Sequence, residues 1–253
     1  SKIENIRVFD EAGVLQFSKT NFLDQTSDFW SSEIIEGSAL SFEFIQSYSS
    51  TDSPIFLNQV NYGFRSFNGN FNGSCDDQVD VTCSPERDNW LKEINSSCLI
   101  RVNDQGFCSG AVINNTIEDG RPYVLTANHC FASFAVGEGR NNAALNSRFL
   151  FNYESQWCQG PQVTNWDEMQ GATIVAQWDE TDFLLLELNQ QIPTEFYTYY
   201  SGWDRLDNQP PTGVGIHHPA GDVKKIATHS QPLVVANCMT TTPIPSSNPV
   251  QNF

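Results

Sequence analysis

Positive charge, histidine, methionine and long apolar runs are all scarce in this sequence. Lys and Arg number 13 against 30 Asp and Glu, giving a formal charge of −17. Phosphate backbones would be repelled by such a chain, which argues against nucleic acid as a partner. No apolar stretch reaches the roughly 20 residues that span a bilayer as a helix, so no membrane partner is expected. Seven cysteines occur, but none in a C-x-x-C pair, and there are only four histidines. Zinc-ribbon and zinc-finger readings fail on that spacing. No signal peptide precedes Ser1, so a targeting segment is expected to have been removed or left out.

What is present suits a β protein. Of 253 residues, 39% are apolar and 12% aromatic, with Phe the commonest aromatic. Asn, Ser, Thr and Gln are plentiful and the β-branched runs are short. Seven cysteines in so polar a chain suggest an oxidising compartment.

Residues 1 to about 72 read as a separate β module, a small β-sandwich. Ile6 to Phe9 and Val14 to Phe17 flank a turn at Glu11-Ala12-Gly13, a hairpin pattern. Leu40 to Ile45 alternates, and Ile55 to Val60 is one more strand. The module has neither cysteine nor histidine, hence no evident metal site or acid–base pair. Asn68 to Ser74 is rich in Gly and Asn and aperiodic, so it reads as a linker, either a plain hinge or the place where a precursor is cut.

The second region is expected to span residues 73–253. Ser84 to Ile94 reads as a short helix, with Ser84 as cap and Pro85 in the first position. Cys98 to Val102, Gly110 to Ile113 and Tyr123 to Leu125 are strands at barrel-like spacing. Tyr197 to Trp203 and Gly213 to His217 are further strands.

The string Leu125-Thr-Ala-Asn-His-Cys130 sets His129 in a turn after an apolar strand, beside a cysteine. A bond from Cys130 to Cys108 would pin that turn against the strand starting at Gly110. Fixing an imidazole so firmly makes sense if its direction matters, as it does for a general base. Such a base needs an orienting carboxylate. Asp182 is the candidate, because it stands at the head of the apolar run Phe183 to Leu186, where an acid needs a partner. His217 and His218 are adjacent, so on a strand they face opposite ways and make a poor chelate; structural roles are expected.

These residues also carry a resemblance. "CSG…LTANHC" is similar to the "CSG…LTAAHC" signature of chymotrypsin-like serine peptidases. "TDFLLLEL" resembles the "(S/T)DFTLLEL" segment of the bacterial lysyl endopeptidase branch. "GSCDDQVDVTCSPERDNW", "FLFNYESQWC", "YYSGWDRLD" and "GIHHPAGDVKKIA" resemble further stretches of that branch, from about Gly73 to Lys225. The resemblance implies an all-β fold: a β-rich pro-region and then a chymotrypsin-like double barrel, the second barrel incomplete. It implies a secreted bacterial endopeptidase acting on protein or peptide substrates. His129 and Asp182 would be catalytic, with no cofactor and no metal. The pro-region would be its own partner, and a monomer is expected.

The resemblance also implies the disulfides Cys108–Cys130 and Cys83–Cys158, with Cys75 paired to a cysteine near the C-terminus. Cys98 and Cys238 then remain as an extra pair, unless Cys238 bonds Cys75 instead. The family's serine sits in a "G-(D/S)-S-G-(S/G)-P" turn, and no Gly-x-Ser-Gly occurs in this chain. The serine is therefore expected beyond Phe253, and the 253 residues alone are expected to be inactive. A catalytically inactive binding protein on a peptidase fold is the alternative; a metal hydrolase at His217 or His218 is a third reading. The position near Asn237 is tryptophan in lysine-cleaving members, which leaves the preferred cleavage residue open.

Overall fold

The computed structural model describes residues 3–20, 35, 39–46, 78–103, 106–158, 166–206 and 209–232. The chain divides into two units, Ser1–Tyr62 and Gly63–Phe253. The first contains β1 (Ile3–Phe9), β2 (Leu15–Thr20) and β3 (Ser41–Gln46), an antiparallel sheet in the order β2-β1-β3. Asp10 builds the β1–β2 turn: its Oδ1 accepts from the amides of Ala12 at 2.9 Å and Val14 at 2.8 Å. Alternation gives the sheet two faces. Ile6 and Val8 are buried, whereas Arg7, pointing the other way, pairs with Glu43 at 3.2 Å. The strand expected over residues 55–60 and the linker at 68–74 lie outside the described residues.

The second unit runs through β4 (Val79–Asp80), α1 (Leu91–Ser96), β5 (Ser97–Val102), β6 (Gly106–Ile113), β7 (Tyr123–Ala127), α2 (Glu138–Leu145), β8 (Arg148–Phe151), β9 (Asp167–Gln170), β10 (Ala172–Trp178), β11 (Phe183–Leu188), β12 (Gly213–His217) and β13 (Lys225–His229). Seven strands form one antiparallel sheet in the order β10-β11-β7-β6-β5-β8-β9. Its edge strands, β9 and β10, are separated in sequence by Gly171 alone. The sheet must therefore curl until its edges meet. The fold is all-β, and this sheet is the first barrel of a chymotrypsin-like architecture. Among the described residues the second barrel is represented by a three-stranded sheet, β12-β13-β4.

Alternation along the strands fills the first barrel. Leu184, Leu186 and Leu188 of β11 face inward, where they meet Ile100, Val112, Val124 and Phe149. Each such side chain contributes about 1.5–3 kcal/mol by leaving water. Strands pack closely at Gly110: a Cβ there would lie 2.7 Å from Val124 Cγ1 and 2.8 Å from Ile100 Cδ1.

Two expectations need correction. Ser84 to Ile94 is not one helix but a 3-10 turn, Arg87–Asn89, followed by α1. Trp90 breaks the path with φ −119° and ψ 19°, after Asp88 and Asn89, which favour turns over helix. Tyr197 to Trp203 is not a strand. Tyr197 is left-handed at φ 53°, and the segment meets β6 only through an isolated bridge between Ser201 and Ile113.

Candidate active site

His129 and Asp182 come from neighbouring strands of the barrel. His129 sits in the 3-10 turn Asn128–Phe131, which directly follows β7. Asp182 is the residue before β11, which pairs with β7. Both side chains thus emerge at the same end of adjacent strands. The His129 amide donates to Asp182 Oδ1 at 2.7 Å, and His129 Nδ1 lies 2.6 Å from Oδ2. One carboxylate therefore grips both the backbone and the ring of the histidine. With Nδ1–H committed to Asp182, the lone pair of Nε2 is the basic one.

The acid is less enclosed than an acid at the head of an apolar run suggests. The Asp182 side chain is 47% exposed and that of His129 58%. Asp182 precedes the strand rather than lying in it, in a left-handed turn at φ 54°. Partial burial pulls its carboxyl up, but the bonds from the His129 ring and backbone outweigh this and leave it below the ordinary carboxylate range.

The cysteines support the same turn. Cys108 of β6 is bonded to Cys130, next to His129. Thr126 Oγ1 donates to the Ser109 carbonyl at 2.9 Å, a second tie between β7 and β6. Cys83 is bonded to Cys158. The extra bridge from Cys98 is a correction: Cys98 is a free thiol on β5, buried in the barrel interior with Ile100 and Val102, where a second sulfur would displace core side chains. Burial pushes this thiol up to about 12, so it is inert as a nucleophile at neutral pH. Cys75 and Cys238 lie outside the described residues.

A family model described as lysyl endopeptidase, C-terminal domain, matches residues 70–249, most of the chain. The chain belongs to this family. The lysyl endopeptidase domain begins near the start of the second unit and includes both His129 and Asp182.

Several residues of this lysyl endopeptidase domain were not singled out by the sequence. Asn128 and Arg140 are buried and bonded to each other beside the histidine turn. Nearby, a recess of about 340 Å³ is lined by Val136, Arg140, Gln177, Trp178, Asp179 and Glu180. On another side of the barrel Lys224 is fully buried; its Nζ donates to the Ile94 carbonyl at 2.8 Å and to Glu154 Oε1 at 3.0 Å. Burial pulls the Glu154 carboxyl up, but Lys224 and Arg87 outweigh it and hold it below its ordinary range. In the sequence, Asn128 departs from the alanine of the "LTAAHC" signature, which was a usable signal; Lys224 carried none.

His217 and His218 do not converge. His217 ends β12 with Nε2 3.5 Å from Gln78 Nε2. His218 lies beyond the strand; its Nδ1 donates to the Asp222 carbonyl at 3.0 Å, and its amide donates to Ser109 Oγ at 2.8 Å. Burial and the nearby Lys224 hold the His218 ring well below its ordinary value, hence neutral. Among the described residues one group of three potential ligand atoms lies close together, at Cys108, His129 and Cys130. Its two sulfurs are bonded to each other and are not thiolates.

Proposed function

We propose that this chain is the proteolytic part of a secreted bacterial serine endopeptidase precursor, in which Asp182 orients His129 as general base. The observation that supports it most is the double grip of one carboxylate on the histidine amide and ring, at 2.7 and 2.6 Å. That arrangement leaves Nε2 free to take a proton. In this reading the nucleophile is a serine beyond Phe253. Its hydroxyl proton passes to His129 Nε2 as the oxygen attacks the peptide carbonyl carbon. The tetrahedral intermediate collapses, the C–N bond breaks, and the amine leaves with the proton from His129. Water then repeats the sequence on the ester, releasing the acid and restoring the serine. No metal or organic cofactor takes part.

Residues 1–72 would act as a pro-region, separated by a cut in the linker near Ser74. The Cys83–Cys158 and Cys108–Cys130 bridges suit export to an oxidising exterior. Substrates are proteins or peptides, and the working form is a monomer.

The test is to express the 253 residues and, separately, the gene product continued past Phe253, and to treat both with a phosphonofluoridate that labels activated serines. Labelling and peptide hydrolysis confined to the longer product are expected. A longer product that stays unlabelled and inactive after its linker has been cut, or serine-reagent-sensitive cleavage by the 253 residues themselves, would overturn the reading. A stop codon directly after Phe253 would favour the inactive binding protein instead.

A further inference from the structure

Asn128 is 5% exposed and Arg140, on α2, is 6% exposed. Neither touches the His129 ring or the Asp182 carboxylate through its side chain. Both nevertheless converge on the turn that carries Asp182. Asn128 Nδ2 donates to Asp179 Oδ1, and Asn128 Oδ1 accepts from Arg140 Nη1 at 3.1 Å. The same Nη1 donates to Gln177 Oε1 at 2.9 Å and lies 3.5 Å from Asp179 Oδ1. The Asn128 amide donates to the Asp182 carbonyl at 2.9 Å. Asn128 thus holds both ends of the Asp179–Asp182 turn, one with its side chain and one with its backbone. The turn closes on itself through Asp182 N to Asp179 O, at 3.3 Å.

Two physical costs make this arrangement informative. Asp182 is left-handed at φ 54°, a conformation that costs most L-residues roughly 1–2 kcal/mol and an aspartate somewhat less. A guanidinium taken out of water costs several kcal/mol unless it is paired. An aliphatic residue at position 140 would pack α2 against the barrel without that cost. The Nη1 bonds to Asn128 and Gln177, with the Asp179 carboxylate 3.5 Å away, offset part of the desolvation of Arg140, whose buried Nε has no hydrogen-bond partner among the described residues, and in return Arg140 fixes the asparagine. We propose that Arg140, Asn128 and Asp179 form a positioning clamp that holds the strained Asp182 turn so that its carboxylate stays in line with His129 Nδ1. The inference rests on the catalytic reading of His129 and Asp182, but concerns their geometry. Its members are positioning residues: they act through the turn and not on substrate.

The readout is the His129 Nδ1 proton, observed by NMR in the 253-residue chain, where it appears downfield as long as Asp182 accepts it. Asp179→Ser alters an exposed side chain, 74% accessible, and leaves the core intact. The clamp predicts that Asp179→Ser and Asn128→Ala each speed exchange of this proton with water roughly tenfold, as loss of a hydrogen bond to a charged group implies. Arg140→Met should do the same, and Arg140→Lys should restore part of the protection. Asp179→Ser takes away the counter-charge of Arg140 and should lower the unfolding temperature; following the proton well below that temperature separates loosening of the turn from loss of fold. An unchanged proton signal in Asp179→Ser, or a change that appears only when the whole domain melts, overturns the clamp. Absence of the signal from the unmodified chain would sink the clamp and the catalytic pairing together. An intact signal that no clamp variant disturbs sinks the clamp alone.

Discussion

Replacing both Cys108 and Cys130 by alanine is the perturbation that best separates local support of the histidine turn from general stability. The bridge joins residues 22 apart in sequence, whereas Cys83–Cys158 joins residues 75 apart. A cross-link stabilises mainly by removing conformations from the unfolded chain, and the effect grows with the logarithm of the loop. The shorter loop corresponds to about 3 kcal/mol and the longer to about 4.5 kcal/mol. Stability therefore predicts that losing Cys83–Cys158 hurts more. Position predicts the reverse for the site, because Cys130 is bonded in the same 3-10 turn as His129. The assay is urea unfolding of the two double variants, with amide hydrogen exchange at His129, whose N–H donates to Asp182 at 2.7 Å. The Cys108/Cys130 variant should lose about 3 kcal/mol and most of its protection at His129. The Cys83/Cys158 variant should lose more stability and keep relatively more of that protection. Unchanged exchange at His129 without the Cys108–Cys130 bridge, or equal loosening in both variants, would show that the bridge does not hold the histidine turn.

Other outcomes follow from the packing and the buried charges. Gly110→Ala should destabilise by roughly 1–3 kcal/mol in thermal or urea unfolding, since the added methyl overpacks Val124 and Ile100. Glu154→Gln should destabilise by about 3–5 kcal/mol, because it leaves Lys224 buried without its counter-charge. Acid should act in two stages, read from the unfolding free energy against pH. The His218 value is depressed in the folded state, so its contribution is full above the ordinary 6.5 and is lost as pH falls below it. Glu154 is likewise depressed, so its contribution is present above 4.5 and is lost as pH falls further. His217 is depressed as well, by burial and then by Lys225, so His218→Gln should shrink the first stage without abolishing it and leave the second.

The barrel was legible where its strands are short apolar runs bounded by turns; β7 and β11 alternate between buried and half-buried positions, whereas β5 and β8 are buried along nearly their whole length. β7 and β11 could be read from Tyr123 to Leu125 and from the apolar run after Asp182, and they pair as neighbours. The histidine and the acid were legible for the same reason, since each stands at the end of an apolar strand. The segment at Tyr197 to Trp203 has the composition of a strand, but Tyr197 is left-handed where it caps the 3-10 turn Thr194–Phe196, donating to the Thr194 carbonyl at 3.1 Å, and this turns the chain aside. Cys98 was assigned a partner from leftover cysteines, yet the inward phase of β5 puts it in the core. The clamp around Asn128 was invisible because Arg140 and Asp179 lie 12 and 51 residues away from it. Only the curled sheet and α2 bring these groups together.

The most direct measurement is the turnover of Asp182→Asn in the gene product continued past Phe253. An amide in place of the carboxylate favours the wrong imidazole tautomer, so kcat should fall by about 10⁴ with KM little changed. A variant that keeps its kcat within roughly tenfold of the parent, a difference of only 1.4 kcal/mol, would contradict it.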